Sequence, residues 1–108
     1  MKLIIKKDQD SAFFGGMNFL VKARVELTNE EQELVKKYKV ENQILLETTS
    51  IFGPIKWTIR DLTSGLSKTG KNVAEVLQYE EIIKQSCEQF KILLEIMKNF
   101  GGEETYEF

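Results

Sequence analysis

The last third of the chain constrains the fold most. Val76, Ile83, Phe90 and Met97 recur at intervals of seven, as do Tyr79, Ser86, Leu93 and Phe100. Two such series one turn apart make a continuous seam along one side of an α-helix, broadened here by Val73, Leu77, Cys87 and Leu94. Asn72 with Glu75 three residues on is an N-cap signal, and Gly101-Gly102 is a stop. The spacing predicts one helix from about 73 to 100. At a rise of ~1.5 Å per residue it is roughly 42 Å long. A compact domain of this length has a radius of gyration of only ~13 Å. Either the helix spans one whole face of a sheet, or part of its apolar surface meets a second copy. The second reading assigns Ile83, Phe90, Leu93, Met97 and Phe100 to a dimer interface.

Upstream the period changes from helical to two. Residues 2–7 read as a strand with Leu3 and Ile5 on one face. In residues 17–27, Phe19, Val21, Ala23, Val25 and Leu27 point one way, and Leu20, Lys22, Arg24 and Glu26 the other. That alternation predicts a half-buried strand of an antiparallel sheet, paired with the first across residues 8–16. Thr28 and Glu31 fit a capping box for a short helix with Leu34, Val35 and Tyr38 as its apolar stripe. Residues 43–49 and 55–62 read as two further strands around Gly53-Pro54, the second with Ile55, Trp57 and Ile59 on one face. The tail Glu103–Phe108 reads as a last strand with Tyr106 and Phe108 on one face. The expected fold is α+β, one domain over 1–108, in the order ββαββαβ, with an antiparallel or mixed sheet packed on the long helix and one short helix.

Composition narrows the chemistry. The sequence has no His and one Cys. This removes Ser-His-Asp and Cys-His catalysis, most zinc sites and any intramolecular disulfide. The apolar runs are far too short to cross a bilayer, and the start has no signal-peptide core, so a cytoplasmic protein is expected. Cys87 lies beside the apolar seam and reads as a small buried side chain, with Lys84 and Lys91 flanking it. The paired carboxylates Glu30-Glu31, Glu80-Glu81 and Glu103-Glu104 read as solvated helix faces and tail.

Three patterns are candidates for binding. Gly65–Asn72 nearly matches the phosphate loop Gly-x4-Gly-Lys-[Ser/Thr], which makes Lys68 and Lys71 candidate phosphate contacts. Asn72 replaces the hydroxyl residue that would hold Mg²⁺, and Asp61–Gly65 reads equally well as a turn with 66–70 as a return strand. Lys2, Lys6, Lys22 and Arg24 on the first two strands, with Lys56 and Arg60 on another, would form a basic sheet face if those strands are neighbours. Phe13-Phe14 before Gly15-Gly16 is a candidate partner contact at a loop tip.

Gly101-Gly102-Glu103-Glu104 resembles the start of the Gly-Gly-Glu-Glu-Phe signature of diguanylate cyclases. It departs at Thr105, and in that family the motif lies inside a larger domain. Helix stop followed by acidic tail accounts for the run.

The expected function is a non-catalytic protein–protein interaction or assembly module, a homodimer, in size and layout like small accessory proteins of bacteria and phages. Phe13, Phe14, Lys22, Arg24, Lys56 and Arg60 are the expected partner-binding residues. No cofactor, metal or catalytic residue is expected. The alternatives are a nucleic-acid-binding module using the basic face, and a small nucleotide or phosphate-ligand binder using the Gly65–Asn72 loop.

Overall fold

The computed structural model describes residues 1–11, 17–50 and 53–108. Alternation of apolar and charged residues builds the first two strands, β1 (Lys2–Ser11) and β2 (Met17–Glu26), which pair antiparallel from Lys2↔Glu26 to Ser11↔Met17. Leu3 and Ile5 face inward with Phe19, Val21, Ala23 and Val25, the last three fully buried. The third strand of this sheet, β5 (Leu66–Gly70), pairs with the other edge of β2, from Ala23↔Leu66 to Phe19↔Gly70. A separate two-stranded sheet joins β3 (Ile44–Ser50) to β4 (Gly53–Thr58), with an irregularity between Ile44 and Leu46.

Three helices connect and cover these sheets. Helix α1 (Asn29–Tyr38) opens on the Thr28–Glu31 capping box, with Glu31 N–H donating to Thr28 Oγ1 at 3.2 Å and Thr28 N–H to Glu31 Oε1 at 2.9 Å. It ends on Lys39 in the left-handed region at φ 54°. Helix α2 (Ile59–Ser64) replaces the end of the strand expected over 55–62. Thr58 and Asp61 form a second capping box, at 3.2 and 2.9 Å, and the chain leaves β4 for a helix that buries Ile59 and Leu62. Residues 66–70 then return as the strand that turn chemistry allowed.

Helix α3 (Val73–Lys98) starts at Asn72, whose side chain accepts from Glu75 N–H at 3.0 Å. Its Val76, Tyr79, Ile83, Cys87, Phe90, Leu94 and Met97 are buried, as the seven-residue seam requires. The helix packs against β2 and β5, against β3 and against α1, and so ties the two sheets to one core that includes Ile55 and Trp57. The result is an α+β fold with antiparallel sheets, one long C-terminal helix and short helices. The molecule is elongated, 63 × 34 × 18 Å with a radius of gyration of 17.1 Å. Beyond α3 the tail 103–108 is exposed and holds no strand. No helix among the described residues is long and apolar enough to cross a membrane.

Candidate functional site

Two surfaces on this scaffold carry chemistry that the core does not consume. The first lies along the C-terminal half of α3. Three of the five residues expected at a dimer interface, Ile83, Phe90 and Met97, are buried in the protein's own core at 1, 0 and 5% exposure. The seam faces the sheets because two sheets and α1 compete for it. Leu93 is half-buried, and Phe100 is 72% exposed, edge-on to Tyr38 at 5.8 Å between ring centroids. What remains outside is a ridge of Ile92, Ile96 and Phe100 at i, i+4 and i+8, with Ile44 of β3 beside it. Gln43, Ile44, Leu45, Gln89, Ile92, Leu93 and Ile96 line a shallow groove of about 210 Å³, and Ile96 also lines the adjoining hollow with Phe100.

The second surface is the open face of the three-stranded sheet. Register places Lys6 directly opposite Lys22, Ile4 opposite Arg24, and Ser67 on the other side of Lys22. Lys6, Lys22, Arg24, Ser64 and Ser67 border an open cleft of about 470 Å³. Arg24 also lines a second cleft of about 530 Å³ between β2, α1 and α2, together with Lys36 and Arg60 and the carboxylates Glu26 and Glu41. Arg60 is held there by its backbone, whose N–H donates to Glu41 O at 2.8 Å beside Ile59 N–H to Gln43 O at 3.2 Å. The face therefore differs from the expected one in its membership. Lys56 belongs to the other sheet, where it pairs with Glu47 at 3.1 Å, and Arg60 arrives from a helix rather than a strand. The sequence could not give strand order, and Lys36 was missed because α1 read only as an amphipathic helix. Phe13 and Phe14 lie outside the described residues.

The Gly65–Asn72 segment does not form a loop wrapped around an anion. Leu66–Gly70 is a paired strand, and Lys68 sits opposite Val21 on its inward side. The helix start is already occupied, with Lys71 N–H donating to Glu75 Oε2 at 2.6 Å. Gly70 has a structural reason to be glycine. A Cβ there would lie 2.9 Å from Glu75 Cβ and 3.2 Å from Val76 Cγ2.

No protein-family model, curated protein or solved structure matches the chain.

Two further titratable groups lie on α3. Cys87 is buried, and desolvation pushes its thiol up to about 11, which keeps it protonated and unreactive at neutral pH. Glu80, on α3, is contacted by Lys7 of β1, 2.7 Å from Oε2 though not aligned as a hydrogen bond, and by Lys84, 3.2 Å from Oε1. Lys7 holds the Glu80 carboxyl below its usual range against the opposing effect of burial, with Lys84 adding to it. This pair clamps the sheet edge to the helix. Among the described residues no group of three His, Cys, Asp or Glu side chains is placed to hold a metal ion.

Proposed function

We propose that the protein is a non-catalytic interaction module that acts as a homodimer, joined through the ridge of Ile44, Ile92, Ile96 and Phe100. The observation that supports this reading is the groove beside the ridge. In a chain with 30% charged residues, none of the seven side chains lining it is charged. Depletion of charge at an exposed apolar centre is the compositional mark of an interface core. Isolated exposed apolar residues need no explanation, but a contiguous ridge does.

A second copy is the partner that fits this surface. Residues at i, i+4 and i+8 make a ridge that packs into the corresponding groove of an identical helix. The groove has no charged side chain to repel that of an identical copy, and two-fold self-association is the commonest symmetry of soluble oligomers. Ile92, Ile96 and Phe100 are more than half exposed and so accessible to a partner.

The test is sedimentation equilibrium over a concentration series from about 1 to 100 µM. A mass of twice the 12.5 kDa chain supports the reading, and a mass of 12.5 kDa throughout refutes it.

A further inference from the structure

We propose that the open face of the three-stranded sheet is a track for the sugar–phosphate backbone of a nucleic acid, with Lys22, Arg24 and Arg60 as its main contacts. It is distinct from the apolar ridge, and its test does not depend on whether the protein dimerises.

The register supplies the first argument. Lys6 and Lys22 face each other on neighbouring strands at exposed positions. Like charges set directly opposite, with Cβ atoms roughly 4.5–5.5 Å apart, destabilise a strand pair. Lys6 is partly relieved by Asp8 at 3.4 Å, while the Lys22 ammonium has no partner among the described residues. An anion between the two removes the repulsion. Arg24 follows on the same face, roughly 7 Å along the strand. One Nη of its guanidinium contacts Glu26, which leaves the rest of the fork available.

Continuity is the second argument. Arg24 lines both clefts, so the cations form one path: Lys6 and Lys22 on the first side, Arg60 and Lys36 on the second. The Arg60 and Lys36 side chains have no partner among the described residues. The cleft with Lys6 and Lys22 has no carboxylate in its lining, and Ser64 and Ser67 add hydroxyl donors. Cations, an Arg fork and hydroxyls are the donor set that phosphate oxygens take. The net charge of −2 does not oppose this, because it is unevenly carried. From Val73 onward the chain has eight Glu and three Lys, which leaves the preceding part net basic.

The side chains of the face select the class of polyanion. An acidic protein partner needs a desolvated apolar or aromatic centre to fix it. Among the described residues no aromatic side chain stands on this face of β1, β2 or β5, and its apolar side chains are the aliphatic Ile4 and Leu20, set between cations rather than gathered in an anchoring pocket. Nucleic acid needs no such centre, because phosphate contacts alone supply sequence-independent affinity. The same lack of aromatics sets the mode, which is backbone contact without base stacking.

The test is fluorescence anisotropy with a labelled 20-base-pair duplex and a 20-nucleotide single strand of mixed sequence. Wild type is compared with Lys22→Gln/Arg60→Gln and with the charge-matched control Lys91→Gln/Lys98→Gln on α3. Three phosphate contacts give a slope of log affinity against log salt of about −2.7 on duplex, or roughly 40-fold weaker binding at 200 than at 50 mM salt. The face variant is expected to bind at least 10-fold more weakly at 50 mM salt, with a slope smaller by about two, while the control behaves as wild type. No binding of either oligonucleotide at 50 mM salt overturns the proposal, as does equal loss in the two variants. Displacement by polyglutamate as effective as by unlabelled oligonucleotide, at equal total charge, also overturns it, in favour of an acidic protein partner.

Discussion

Replacing Gly70 by Ala tests the contact between β5 and α3 and separates two accounts of why glycine stands there. Its backbone needs no special φ, since it is not among the residues with positive φ. What it needs is space. The new methyl would come 2.9 Å from Glu75 Cβ, 3.2 Å from Val76 Cγ2 and 3.3 Å from Asn72 O. The neighbours have little room to yield. Gly70 is paired with Phe19 in the sheet, Asn72 is the cap of α3, and Val76 is buried. Overpacking of this kind costs about 1–3 kcal/mol. The lower entropy of an unfolded chain with Ala returns about 0.4–1 kcal/mol. The net expectation is a loss of about 1–2 kcal/mol, or a fall in Tm of roughly 5–10 °C at fixed protein concentration. Thermal unfolding followed by far-ultraviolet circular dichroism reads this directly, with Lys71→Ala expected within about 0.5 kcal/mol of wild type. A Gly70→Ala protein as stable as wild type would refute the packing argument.

Further outcomes concern three residues of α3. Lys7, and secondarily Lys84, lower the folded-state carboxyl of Glu80, so its contribution is present above its ordinary value of 4.5 and lost as pH falls through the lower folded one. Wild type should exceed Glu80→Gln by about 1 kcal/mol at pH 7, with the gap closing between pH 5 and 3; a gap that is constant with pH would contradict the ion-pair account. The Cys87 thiol should react with a disulfide reagent about 100-fold more slowly in the native protein at pH 8 than in urea, since desolvation raises it to about 11. Equal rates would mean that this part of α3 opens freely. Phe90→Ala, at a fully buried position, should cost about 3–5 kcal/mol, measured by urea titration. A cost under 1 kcal/mol would show that the seam is not the centre of the core.

How far the sequence could be read depended on which signals were local. The strands of the hairpin, the capping box at Thr28, the N-cap at Asn72 and most of the inward seam of α3 are written in spacing alone, although Val73, Leu77 and Phe100 of that seam are exposed. The end of β4 was misread because Ile55, Trp57 and Ile59 keep the strand alternation past the point where Thr58 and Asp61 cap a helix. In that helix Ile59 and Leu62 are one turn apart and both buried. Two competing periods overlapped, and the cap decided between them. Ile83, Phe90 and Met97, assigned to a dimer interface, lie in the protein's own core, because periodicity shows that a face is apolar, not what covers it. The sheets cover Ile83, Phe90 and Met97, and the weaker ridge of Ile92 and Ile96 stays outside. Arg60 and Lys36 came to Arg24 through tertiary packing, which no local signal encodes.

The central claim, that two copies meet on that ridge, is tested most directly by placing charge on it. Ile92→Glu/Ile96→Glu puts two carboxylates in the proposed interface, while Val73→Glu/Leu77→Glu puts the same charge on exposed apolar positions of the same helix outside the ridge. The mass of each protein in solution is measured by light scattering at about 50 µM, well above the Kd expected of a stable dimer. The account predicts a dimer for wild type and for Val73→Glu/Leu77→Glu, and a folded 12.5 kDa monomer for Ile92→Glu/Ile96→Glu. A wild-type monomer, or a dimer that survives both substitutions on the ridge, would contradict it.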